Sequence, residues 1–150
     1  MEIQNLDRVG RRILAALQRQ ARLTYTQVGR QVGLTGPAVA ERVRRMEEGG
    51  LIRGYHADVD LARAGLPVQA FIRLRTPPER YPRLLAMLEG LPEVLECHHV
   101  AGEDAFILYV AAGSTLALEQ VIGRLSPFGS TSTAIILSTP LRRPVALDEA

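Results

Sequence analysis

Residues Arg22 to Glu48 read RLTYTQVGRQVGLTGPAVAERVRRMEE, and their spacing decides the first half of the fold. Thr24 stands three residues before Gln27, so its hydroxyl can accept from the N3 amide while the Gln side chain reaches back, which opens a helix. Val28 and Val32 fall one turn apart on the inner face, Gly33 permits the left-handed residue that stops the helix, and Leu34 plugs the corner. Thr35 then caps a second helix. With Val39 at zero and about 100° per residue, Val43 and Met46 lie within roughly 40° of it and face a core. The opposite side carries Pro37, Ala38, Glu41, Arg44, Arg45 and Glu48. Two short helices joined by a glycine turn predict a helix-turn-helix, its second helix entering the major groove of double-stranded DNA. Small residues at the start of that helix let the backbone approach base edges, while arginine holds phosphate. The same helix also reads as a solvated face held by Glu41 to Arg44 and Glu41 to Arg45 pairs.

The neighbours favour the DNA reading. Leu6 to Gln20 predicts a helix with Val9, Ile13, Leu14 and Leu17 on one face, capped by Asn5 or Asp7. Gly49-Gly50 ends the third helix and Leu51 to Val59 follows as an extended run. This describes a helix-turn-helix domain with an extended strand over residues 1–60, and residues 61–66, running into Pro67, are the expected linker. The net charge of +2 hides an asymmetry: residues 1–54 hold 10 arginines against 5 acids, and 55–150 hold 8 against 11. Cations that neutralise phosphates release counterions, so the basic half suits a polyanionic partner. The chain has no lysine, so an arginine on the second helix is not by itself a sign of bidentate recognition.

With 47% hydrophobic residues in 150, the chain can hold one ordinary domain or two small ones. Its longest apolar run, Ala105 to Ala112, falls far short of the roughly 20 residues of a membrane helix, so no membrane partner and a cytoplasmic location are expected. The lone Cys97 excludes an internal disulfide. Val68, Ala70, Ile72 and Leu74 alternate with Gln69, Phe71, Arg73 and Arg75, the period of a half-buried strand. A helix over Glu79 to Gly90, strands over Val94 to Ala101 and Ala105 to Ala112, a helix over Thr115 to Leu125 and a strand over Thr131 to Ser138 complete the order β-α-β-β-α-β. The predicted class is α+β: a winged or extended helix-turn-helix followed, over residues 67–150, by a ferredoxin-like effector and oligomerisation domain. Two helices cover one sheet face only. A second copy of the chain is the simplest cover for the other, which predicts a homodimer.

These features together resemble the Lrp/AsnC family of leucine-responsive and feast/famine transcriptional regulators, over essentially the whole chain. The head carries the resemblance at Leu6-Asp7, Ile13-Leu14, Leu17, Arg22, Val28, Val39, Arg42-Val43, Met46-Glu47, Gly50 and Ile52-Arg53-Gly54-Tyr55. The rear carries it at Leu91-Pro92-Glu93-Val94, Val100-Ala101-Gly102-Glu103-Asp104 and Thr131-Ser132-Thr133. Two positions depart from the family pattern. Gly10 stands where a second acid is common, at a helix-propensity cost of about 1 kcal/mol. The effector loop, commonly G-x-x-D, reads Gly102-Glu103-Asp104-Ala105. The resemblance implies DNA contacts from Thr24, Thr35, Pro37, Ala38, Glu41, Arg42, Arg44 and Arg45. It also implies an amino acid or similar small effector near Val100, Ala101, Gly102, Glu103, Asp104, Thr131 and Thr133, at interfaces between dimers in a ring read as an octamer. In such a loop, backbone amides receive a carboxylate and the side-chain acid an ammonium group. The loop residues also suit a plain hairpin turn.

His98 and His99 with Cys97 suggest a metal, but successive strand residues point to opposite faces and cannot converge on one ion. No phosphate loop, nucleophile elbow or paired-carboxylate motif occurs, so no catalytic residue, cofactor or enzyme activity is expected. Siroheme decarboxylases look like this family, and His98, His99, Arg73 and Arg75 would serve a tetrapyrrole pocket in that alternative. A DNA-compacting architectural protein without an effector response is the other.

Overall fold

In a computed structural model of the chain, residues 6–147 are described. Two compact units result: one holds residues 6–58 together with 141–147, and the other spans Val59–Pro140.

The first unit is built on helices α1 (Arg8–Arg19), α2 (Tyr25–Val32) and α3 (Gly36–Glu48). Asp7 caps α1, accepting from the Gly10 amide at 2.7 Å; the other candidate cap, Asn5, lies outside the described residues. Leu6, expected inside this helix, instead folds back over its first turn. A Cβ at Gly10 would sit 2.9 Å from the Leu6 Cδ1, so the residue that weakens helix propensity also makes room for Leu6. The capping box at α2 is complete: Thr24 Oγ1 accepts from Gln27 N–H and Gln27 Oε1 from Thr24 N–H. Gly33, at φ 77°, ends the helix, and both its amide and that of Leu34 donate to Gly29 O. A Cβ at Gly29 would lie 2.4 Å from Leu34 O, so the corner of the helix-turn-helix closes on a position that only glycine fits. Ile13, Val28, Val39 and Val43 are fully excluded from solvent between the three helices, with Ala16, Leu17 and Val32 around them. From Arg53 through Asp60 the chain has no regular secondary structure. It pairs with no strand among the described residues, so the expected strand lacks a ladder here. An apolar groove beside it is lined by Leu14, Leu17, Ile52 and Tyr55 together with Val145 and Leu147.

The second unit is the expected β-α-β-β-α-β arrangement: β1 (Val68–Arg75), α4 (Tyr81–Glu89), β2 (Val94–His99), β3 (Phe106–Ala112), α5 (Thr115–Leu125) and β4 (Ser130–Ile135). The sheet is antiparallel throughout in the order β2-β3-β1-β4. α4 is shorter than its hydrophobic spacing predicts because Pro78–Arg80 form a separate 3-10 turn ahead of it. Ala70, Ile72 and Leu74 pair across the sheet with Val110, Leu108 and Phe106 on the face that Leu84, Leu118, Val121 and Leu125 cover. Burying one such leucine stabilises the unit by about 2 kcal/mol. Gln69, Phe71 and Arg73 with Ile107 and Tyr109 form the other face, where the Phe71 and Tyr109 rings lie 5.5 Å apart and Phe71 stays 44% exposed. In β2, Cys97 and His99 fall on the helix side by register and Glu96 and His98 on the other, where the latter two bond at 2.9 Å.

Candidate nucleic-acid interface and effector end

Val39, Val43 and Met46 hold α3 to the core, which turns Pro37, Arg44, Arg45 and Glu48 to the surface, with Ala38 and Glu41 half-buried beside them. The N-termini of α2 and α3 lie together, since a Cβ at Gly36 would meet the Thr26 Oγ1 at 3.0 Å. Thr24 and Thr35 are both occupied as helix caps, the latter accepting from Ala38 N–H at 3.4 Å. Arg42 points to the start of α1, where it forms a fork with both Asp7 oxygens at 2.9 and 2.8 Å. The Gly10 amide first and this guanidinium second hold the Asp7 carboxyl below its usual value. Arg42 thus ties the third helix to the first.

Glu41 gathers the remaining charge. Arg44 donates to both of its oxygens, at 3.0 and 2.8 Å, and Arg45 donates to one at 2.9 Å. These bonds, Arg44's first, lower the Glu41 pKa to about 2, and Arg44 is raised in turn by Glu41 and then Glu48. Both sequence readings of the helix meet in one geometry, because the ion pairs lie on the face turned to solvent.

At the other unit, the loop after β2 carries Val100, Ala101, Gly102, Glu103 and Asp104. It is closed by Val100 N–H to Ala105 O and fastened to β1 by Ala105 N–H to Leu74 O, both at 3.0 Å. Glu103 accepts from Arg75 at 2.7 Å. Thr131 pairs with Leu74 and Thr133 with Ile72, so the loop and the start of β4 flank the same end of β1. Thr133 lies further in than Thr131 and is exposed because β4 is an edge strand. Sequence reading placed Arg75 only in the tetrapyrrole alternative. Its approach to Glu103, 28 residues away, has no local signal.

A helix-turn-helix whose outer helix shows two arginines to solvent, followed on the chain by a ferredoxin-like unit with a polar sheet end, defines a DNA-binding protein that carries a second, ligand-binding module. The AsnC-type helix-turn-helix model matches residues 6–47 and the Lrp/AsnC ligand binding domain model residues 69–146. The chain is 33% identical to the HTH-type transcriptional regulator LrpC of Bacillus subtilis, over 89% of this chain and 92% of that one. The solved structure of B. subtilis LrpC matches with a TM-score of 0.88 at 32% identity, covering 93% and 99% of the two chains. The feast or famine regulatory protein of M. tuberculosis, solved in complex with L-methionine, matches with a TM-score of 0.83 at 32% identity, covering 92% and 96%. The chain belongs to the Lrp/AsnC family. It is a DNA-binding transcriptional regulator, and the resemblance read from the residues holds across both units; the decarboxylase alternative finds no favour among these relatives. No helix among the described residues is long and apolar enough to cross a membrane.

Proposed function

We propose that α3 reads duplex DNA through Pro37, Ala38, Glu41, Arg44 and Arg45, with Thr24 and Thr35 presenting helix N-termini to phosphate and Arg42 holding the helix in place. The observation that carries this is the exposure of Arg44 and Arg45 opposite the buried Val39, Val43 and Met46. Arg44→Ala and Arg45→Ala are expected to weaken duplex binding without unfolding the head, and each to reduce the salt slope by about 0.9. Binding titrations at several salt concentrations check this; unchanged affinity and slope in both variants would reject it.

The second module binds an amino acid or a similar small molecule at the β1 end, between the loop Val100 to Asp104 and Thr131 and Thr133. The methionine bound by the M. tuberculosis relative supports this ligand class, and the juxtaposed loop and strand support the place. Asp104→Ala and Thr133→Val are expected to weaken effector binding about tenfold, the scale of losing one hydrogen bond to a charged group, while DNA affinity without effector stays near the parent value. Calorimetry with the common amino acids measures it, and a flat response to all of them removes the site.

The chain acts without catalysis, in the cytoplasm, as a homodimer joined through its outer sheet face and assembling to an octamer. Residues 61–66 link residues 1–60, which bind DNA, to residues 67–150, which sense and assemble and whose segment from Leu141 belongs to the head unit. The apolar outer face at Phe71, Ile107 and Tyr109 supports the dimer.

A further inference from the structure

The first five residues of α3, Gly36, Pro37, Ala38, Val39 and Ala40, have no side-chain atom able to form a hydrogen bond. The hydroxyl just ahead of them, on Thr35, accepts from the Ala38 amide and belongs to the cap rather than to the helix. The next cation, Arg42, is turned to Asp7. Hydrogen-bonded readout of a base edge by the leading half of this helix therefore falls to Glu41. That same carboxylate accepts three hydrogen bonds from Arg44 and Arg45 in the free protein. Arg44 also keeps Glu48, whereas the ion pair at Arg45 is made with Glu41. A phosphate that takes the Nε side of either guanidinium competes with Glu41 on any sequence, because Arg44 and Arg45 both donate to it from Nε. The displaced carboxylate regains a partner only where the groove offers it a donor.

We propose that Glu41 is a specificity-determining residue that holds Arg44 and Arg45 in the free protein and, on a matching site, releases them to phosphate and accepts from the exocyclic amine of a cytosine. This rests on α3 being the DNA-reading helix. A carboxylate accepts from cytosine N4 in the major groove and finds no donor on guanine or thymine there. Non-matching duplexes therefore bear the lost ion pairs without compensation, which lowers non-specific affinity and widens the gap to the specific site.

The test titrates the full chain against a random-sequence duplex and against the duplex most enriched from a randomised library. E41Q is expected to bind the random duplex about tenfold more tightly at low salt, with a salt slope steeper by up to about 0.9. It also loses about tenfold of the parent's cytosine preference at one position of the site and shifts toward adenine, because a carboxamide pairs with adenine N6 and N7. E41A is expected to show the same gain on random duplex and the same loss of preference without the shift. Unchanged random-duplex affinity in both variants, or an unchanged base preference, overturns the proposal. The double variant R44A/R45A separates this failure from a deeper one. Weaker binding there with no effect at Glu41 rejects only the role of Glu41, whereas no effect in any variant rejects α3 as the reading helix.

Discussion

Gly29→Ala is expected to abolish duplex binding while leaving the sheet unit folded. The added methyl would fall 2.4 Å from Leu34 O and 3.2 Å from its carbonyl carbon. Both atoms belong to the turn that Gly29 O organises by accepting from Gly33 and Leu34. Backbone cannot step aside as a side-chain end can, so either α2 shifts from α3 or the turn opens. The cost stands at the upper end of the overpacking range, about 3 kcal/mol. That is roughly a 150-fold fall in the folding equilibrium constant of the head, and the molecules that stay folded carry a displaced α3. Urea denaturation followed by circular dichroism, beside duplex titration, reads both effects. Binding within threefold of the parent would contradict the account of this corner.

Phe71→Glu is expected to dissociate the proposed dimer. Phe71 lies on the outer sheet face between Tyr109 on β3 and Ala134 on β4, and it is exposed enough for the unpartnered chain to hydrate a carboxylate there. Covered by a second copy, the same carboxylate is stripped of water where the parent buries an apolar ring. A penalty of about 3 kcal/mol per dimer raises the dissociation constant roughly 150-fold. Light scattering near micromolar concentration is expected to show a monomer in place of a dimer. Affinity for a duplex with two half-sites falls with it while affinity for a single half-site is retained, because only the bivalent gain is lost. A variant that keeps the parent's mass would remove this face from the assembly.

Periodicity made most of this fold legible. Val28 and Val32, Val39 and Val43, and the alternation through Val68 to Arg75 each declare one buried face, and a buried face fixes the element's pitch. The capping box at Thr24 was legible for the same reason, being a local exchange of bonds across three residues. What escaped depends on contacts across long stretches of chain. The fork between Arg42 and Asp7 spans 35 residues, so sequence placed Arg42 simply among the cations for DNA. Leu6 is a local exception: Asp7 takes the cap and leaves Leu6 outside the helix it was assigned to, against Gly10. At the proposed effector end, the loop and Thr131 entered through the family resemblance, and only the pairing register sets them on either side of β1. The run after Ile52, expected as an extended strand, has no regular secondary structure over residues 53–60. Whether such backbone finds a ladder depends on a partner that spacing does not name.

The head unit is discontinuous: residues up to Asp58 are joined by a segment from Leu141 onward, with Arg142 paired to Asp58 at 3.2 Å and Leu147 lining the groove beside Ile52. The sheet unit lies between these pieces as a continuous insertion. Synthesis therefore delivers the two parts out of step. The helices that bury Ile13, Val28 and Val39 emerge first and can pack at once, since none of those contacts needs the distant segment. The sheet unit comes next and is complete by Pro140. Only then do residues 141–147 leave the ribosome to cover the groove, so the nascent head carries an open apolar flank for the whole time its neighbour is being made, the interval in which a chaperone or an unintended partner has access to it.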